Sequence, residues 1–201
     1  MPRSTLIRFC ALLALATSML GLHACGQVEL HGTVLDPPTP APDFTLVAHT
    51  GAPFRLSEQR GKVVLLFFGF TNCPDVCPTA LSDIAAVQRK LGSDAEQVQV
   101  AFVTLDPERD TPARLAKYMA AFNPRFLGLH GTPAEIAPII KAYGVTMARR
   151  ELPNSALKYT IDHSPFIYVI DKTGSWRELL QDGVPIADMA NDIRYFIHNG
   201  G

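Results

Sequence analysis

Residues 63–78 read VVLLFFGFTNCPDVCP, and this stretch decides the fold. Val63 to Phe70 is a near-continuous apolar run rich in β-forming residues, the pattern of a strand buried on both faces. Turn residues and the first of two thiols follow. Pro78 suits the first position of a helix, where its missing N–H costs nothing, and it biases Cys77 away from the α region. The segment therefore reads as strand, thiol-bearing loop, helix. Cys77 falls at the helix N-terminus, where the dipole and free amides favour a thiolate. Cys73 lies in the loop, and three intervening residues let the two sulfurs converge on one ion or on each other.

Working outward, Leu81, Ile84, Val87 and Leu91 share one helical face and Gly92 suits the stop. Val98 to Leu105 is a second buried strand. Pro112 to Phe122 and Pro133 to Tyr143 are helices, each with proline in the first turn. Phe166 to Ile170 and Trp176 to Leu180 form a hairpin across Asp171 to Ser175, and a last helix runs from about Pro185 to His198. Upstream, Phe44 to Val47 and Phe54 to Leu56 are short strands around Gly51 and Pro53. Parallel strands alternating with helices, closed by an antiparallel pair, is the order of a thioredoxin-like α/β domain with a central mixed sheet flanked by helices.

The first residues belong to a different element. Arg3 and Arg8 precede an apolar run from Phe9 to Leu22, the basic-then-apolar order of a secretory signal. The run is short for a membrane span, which needs roughly 20 apolar residues. It ends in Leu22-His23-Ala24-Cys25, which resembles the lipobox of bacterial lipoproteins. That resemblance implies removal of residues 1–24 as a signal peptide, lipidation of Cys25, and a domain held at a periplasm-facing membrane surface. An uncleaved anchor and an ordinary signal peptide are the alternatives, and all three place the domain outside the cytoplasm. Residues 25–42, with Pro37, Pro38, Pro40 and Pro42, read as the lipidated cysteine and a flexible, partly extended tether. His31 is then a solvent-exposed linker residue. The thioredoxin-like domain occupies residues 43–201.

Composition agrees with one domain and a targeting segment in 201 residues. At 47% hydrophobic, the chain has enough apolar material for a core that needs no disulfides. Loss of the leader takes two positive charges from a formal net charge of −1, leaving −3. With no basic stripe or charge run, nucleic acid is excluded as a partner.

Of the four cysteines, Cys10 leaves with the leader and Cys25 is expected to carry lipid. Cys73 and Cys77 remain to pair with each other. A disulfide across so short a loop constrains the unfolded chain little, so it is a poor staple and a good redox or ligand pair. Residues 159–165, YTIDHSP, immediately precede the strand from Phe166. In this topology that loop lies beside the cysteine loop, which brings His163 next to two thiolates. Two thiolates and an imidazole form a soft set suited to copper. Zinc is served by the same three ligands with water as the fourth. His49 in a surface turn, His130 near a helix start and His198 in the last helical turn read as satisfied or solvated side chains. Asp162 reads as a loop acid in solvent. Pro165 sits where thioredoxins carry a cis-proline facing the active cysteine, so a cis Ser164–Pro165 bond is a further expectation.

Three segments, in order, resemble the Sco/SenC family of copper-binding assembly proteins: residues 69–78 (GFTNCPDVCP), residues 106–112 (DPERDTP) and Asp162-His163-Ser164. The match covers roughly Pro42 to His198. The resemblance implies that Cys73, Cys77 and His163 bind Cu(I) or Cu(II). It implies a metallochaperone that helps build the copper A centre of cytochrome c oxidase, with the copper A subunit or another copper protein as partner. Asp106 matches a family acid near the site and is expected to act in the outer shell.

Two other functions use the same residues or their surroundings. A thiol–disulfide oxidoreductase would use both cysteines catalytically without metal turnover, although thioredoxins place Trp before C-x-x-C and here Asn72 precedes C-x-x-x-C. A peroxidase of the peroxiredoxin or glutathione-peroxidase type is suggested only by Asp43-Phe44 and needs neither the paired thiols nor His163. A binding-only redox signal protein is a fourth reading.

Overall fold

The computed structural model describes residues 29–200. The proposed leader and Cys25 lie outside these residues. No helix among the described residues is long and apolar enough to cross a membrane.

Among the described residues, ten strands and four α-helices follow one another. The strands are β1 (Thr33–Pro40), β2 (Thr45–Ala48), β3 (Pro53–Arg55), β4 (Val63–Gly69), β5 (Val98–Thr104), β6 (Leu127–His130), β7 (Met147–Glu151), β8 (Tyr159–His163), β9 (Ile167–Ile170) and β10 (Ser175–Leu180). The helices are α1 (Val76–Leu91), α2 (Pro112–Phe122), α3 (Pro133–Ala142) and α4 (Ile186–Asn199). Eight strands form one sheet in the order β1-β10-β9-β4-β5-β6-β2-β3, and β7 pairs with β8 in a separate ribbon. β4, β5 and β6 run parallel, while β9 joins β4 antiparallel. This is the thioredoxin-like mixed sheet.

β4 forms the middle of the fold because every one of its residues is buried. Successive side chains of a strand point to opposite faces, so its adjacent phenylalanines serve different layers. Phe68 meets Tyr143 and Tyr168, and Trp176 joins that cluster. Phe67 faces Phe102 and the ring of His163. Burying each such ring contributes about 1.5–3 kcal/mol. α1 lays Leu81, Ile84, Val87 and Leu91 into the core and packs on α4. α2 and α3 begin as their sequences require: Thr111 and Thr132 cap them, each followed by proline, and Thr132 with Glu135 forms a reciprocal capping box.

Four sequence expectations need correction. Residues 33–40 are not a free tether but an edge strand, β1, pairing at both ends with β10 and irregular between Val34 and Thr39. An edge strand tolerates the prolines that suggested a linker, because its outer N–H groups have no partner to lose. His31 is not a free linker residue: its Nδ1 lies 2.9 Å from a carboxylate oxygen of Asp192. α1 starts at Val76, two residues before Pro78, since proline is tolerated throughout a first turn whose N–H groups lack helical partners. Residues 159–163 are strand β8 rather than loop, paired with β7, a strand with no buried residue and no apolar alternation to announce it.

Candidate metal centre

The loop leaving β4 folds back on itself. Cys73 donates its backbone N–H to the Phe70 carbonyl at 3.1 Å. Asp110, wholly buried, ties the loop down: it accepts the Thr71 backbone N–H at 2.9 Å and the Thr104 hydroxyl at 2.7 Å. Arg114 reaches over from α2 to the Thr71 hydroxyl at 2.6 Å and to the Asn72 side chain. Thus Asp110, after β5, and Arg114 of α2 hold the two residues that precede the first thiol.

Cys77 sits in the first turn of α1 with its sulfur against the end of β4. A Cβ on Gly69 would lie 2.7 Å from Cys77 Sγ and 2.9 Å from the Phe102 ring, so only glycine admits this sulfur. The third group comes from the ribbon. His163 ends β8, and its Nε2 lies 3.4 Å from Cys77 Sγ. Its Nδ1 lies 3.1 Å from the Ser164 carbonyl oxygen. A carbonyl only accepts, so Nδ1 donates to it, and Nε2 is the ring nitrogen turned toward the sulfurs. Phe67 and Phe70 meet the imidazole edge to face and fix its plane. The ligand atoms of Cys73, Cys77 and His163 all lie within 4.8 Å of one another.

The two thiols are electrically unequal, in the opposite sense to that expected from helix position. Cys73 is 9% exposed and Cys77 is fully buried. The hydrogen bond from the Cys77 thiol lowers the pKa of Cys73 to about 4, assisted by His163 and by backbone N–H groups at the helix start. Cys77 is pushed up by that same bond, by burial and by the neighbouring negative charge. The amides of the first turn point out of the helix toward Cys73 Sγ, with Cys77 N–H at 3.5 Å. They therefore stabilise charge on the sulfur ahead of the helix rather than on the one within it.

Asp106 stands one step away. It is buried, forms an ion pair with Arg109, and accepts the Tyr159 hydroxyl at 2.7 Å. Arg109 also donates to the carbonyls of Leu157 and Tyr159, at 2.9 and 3.0 Å. The guanidinium groups of Arg109 and Arg149 stack on the Tyr159 ring. Asp106 thus secures the start of the strand that ends at His163, and its hydrogen bonds among the described residues go to no member of the triad. Asp162 is exposed and pairs with Arg150. His49 accepts the Gly128 N–H, and His198 faces Asp94. The Ser164–Pro165 bond is trans; the cis bond among the described residues is Asp36–Pro37, so the cis-proline expectation fails. Sequence reasoning did not single out Asp110 or Gly69. Both lie inside the quoted motifs, but their roles depend on a burial and a close approach that spacing does not reveal.

A thioredoxin-like domain carrying two thiols and an imidazole on converging elements defines a class of dithiol–imidazole, metal-capable proteins. The SCO1/SenC family model matches residues 34–198, and the chain belongs to that family. It is 37% identical over 134 residues to a SCO2-like protein of Rickettsia felis, an alignment covering 67% of this chain and 65% of the relative. The chain therefore spans just under two thirds of that relative's length. Among solved structures, the copper-bound ScoI of Bradyrhizobium japonicum matches with a TM-score of 0.72 and 37% identity, over 78% of this chain and 98% of that one. The apo Sco1 protein of Thermus thermophilus matches with a TM-score of 0.74 and 38% identity, over 84% and 98%.

Proposed function

We propose that the chain is a copper metallochaperone that carries copper on Cys73, Cys77 and His163 and assists assembly of the copper A centre of cytochrome c oxidase. One observation carries the reading: three soft donor atoms converge within 4.8 Å on the scaffold shared with the copper-bound Bradyrhizobium ScoI. The donor chemistry fits. Thiolates and imidazole suit copper, the Cys73 thiolate is formed without strong base, and the bond at Nδ1 leaves Nε2 free to ligate. Asp106 serves as an outer-shell group through Arg109 and Tyr159, in keeping with the way such partners orient ligands. Copper is cargo here, received and passed on by ligand exchange to the copper A subunit or another copper protein.

The reading extends to the N-terminus. Residues 1–24 act as a lipoprotein signal, and lipid on Cys25 holds the domain at the periplasmic face of a bacterial membrane. Its support is the basic-then-apolar order ending at Cys25. Metabolic labelling with a fatty acid, lost in Cys25→Ala, tests it.

A second activity, reduction of a partner's disulfide, is favoured by the unequal thiols, since a low-pKa, more accessible sulfur is the attacking one. Titration of the reduced chain with copper separates the two. Tight uptake of one equivalent that is weakened in His163→Ala supports the carrier. Weak copper binding with rapid reduction of a partner disulfide supports the reductase.

A further inference from the structure

The β7–β8 ribbon places one more soft donor beside the triad. Met147 is the register partner of His163. Ser164 donates its N–H to the Thr146 carbonyl at 3.0 Å, which makes Met147 and His163 a non-hydrogen-bonded pair, the closer of the two antiparallel types. Side chains of such a pair stand on one face with Cβ atoms roughly 4.5–5.5 Å apart. The face carrying Met147, Arg149, Tyr159 and Ile161 lines a cavity of about 300 Å³ against α3 and residues 105–108. Met147 occupies the end of that face nearest His163.

Its exposure is unlike that of the other methionines among the described residues. Met119 and Met189 are core residues at 0% and 2%, whereas Met147 is 37% exposed. A flexible thioether at the surface gains little from packing, but it is a neutral, soft ligand for Cu(I). The triad itself is poorly placed to begin a transfer: Cys77 is fully buried and Cys73 nearly so. Ligand exchange needs a donor that takes the ion at the rim while a triad ligand lets go.

We infer that the Met147 thioether is a transfer ligand for Cu(I), engaging the ion beside His163 as it enters or leaves the Cys73–Cys77–His163 site. This rests on the copper-carrier reading above. The step is ligand substitution: a sulfur–copper bond forms at Met147 as the imidazole–copper bond breaks, with no change in oxidation state.

The test uses the full chain, loaded with one equivalent of Cu(I), and the chelator bicinchoninate as acceptor. Met147→Leu keeps the apolar volume and removes the donor. The expected result is a several-fold slower release, with equilibrium affinity changed much less. X-ray absorption adds a structural readout. Cu(I)-loaded His163→Ala is expected to show a third, thioether sulfur that disappears in His163→Ala/Met147→Leu. Wild-type release rates in Met147→Leu, or identical spectra for the single and double variants, overturn the inference. Failure of the wild-type chain to take up copper overturns instead the carrier reading on which it rests.

Discussion

Cys77 Sγ and His163 Nε2 lie 3.4 Å apart although 86 residues separate them in sequence. A helix start and the end of a ribbon strand meet over the C-terminal end of β4. The contact depends on three supports: a glycine that leaves room for the sulfur, a carbonyl that orients the imidazole, and an ion pair that secures the strand at its other end.

Gly69→Ala tests the first support. Its new methyl would lie 2.7 Å from Cys77 Sγ, and overpacking of this kind costs about 1–3 kcal/mol. Urea denaturation of the reduced protein is expected to show that loss, together with weaker copper uptake. Full stability with unchanged uptake would mean the sulfur has room to move.

The unequal thiols predict selective chemistry. At pH 6 the reduced, metal-free chain is expected to be alkylated by iodoacetamide at Cys73 well before Cys77, as read by mass spectrometry. Stability should follow. Cys73 has its folded pKa lowered from 9.0 to about 4, so its contribution is fully present above pH 9 and is lost as pH falls toward 4. The stability difference between wild type and Cys73→Ser should therefore grow from pH 4 to pH 9. A difference that stays flat in that window contradicts the assignment.

Asp106→Asn tests the strand support. The substitution weakens the ion pair to Arg109 and alters the bond from Tyr159. Disrupting a buried charged network costs on the order of 1–3 kcal/mol. Copper affinity should fall as well, but by less than in His163→Ala, because Asp106 orients a ligand and is not one. Equal losses in the two variants would place Asp106 in the inner sphere.

Glu178 carries a separate prediction at the N-terminal edge. It is fully buried beside Asp192, accepts the Gly32 N–H through one oxygen, and leaves the other without a partner. Burial and the neighbouring carboxylate raise its pKa to about 7. For an acid whose folded pKa is raised, the stabilising contribution is present at low pH and is lost as pH rises through that value. Glu178→Gln should match wild type in stability at pH 5 and exceed it at pH 8. The opposite order in urea melts would show that the ionised form is the one the fold prefers.

Much of this was legible in residue order. The run Val63 to Phe70, the proline-led helices at Pro112 and Pro133, and the Asp171–Ser175 turn carry strong local signals, and each element stands within a residue or two of its expected place. The thiols and His163 could be grouped from topology alone. What was not legible depends on long-range partners. β1 is a strand only because β10 offers an edge to it, and its prolines argue locally for a linker. β7 exposes every residue, so no periodicity marks it. The choice of Cys73 as the low-pKa sulfur turns on where α1 begins, and helix boundaries are the least certain feature of any sequence pattern.

The proposed carrier holds copper on two sulfurs and one imidazole. X-ray absorption at the copper edge, on the chain loaded with one equivalent of Cu(I), tests it most directly. The predicted first shell holds two thiolate sulfurs and one nitrogen, with the nitrogen lost in His163→Ala. A nitrogen that persists in His163→Ala, or a wild-type shell with fewer than two sulfurs, would rule that site out.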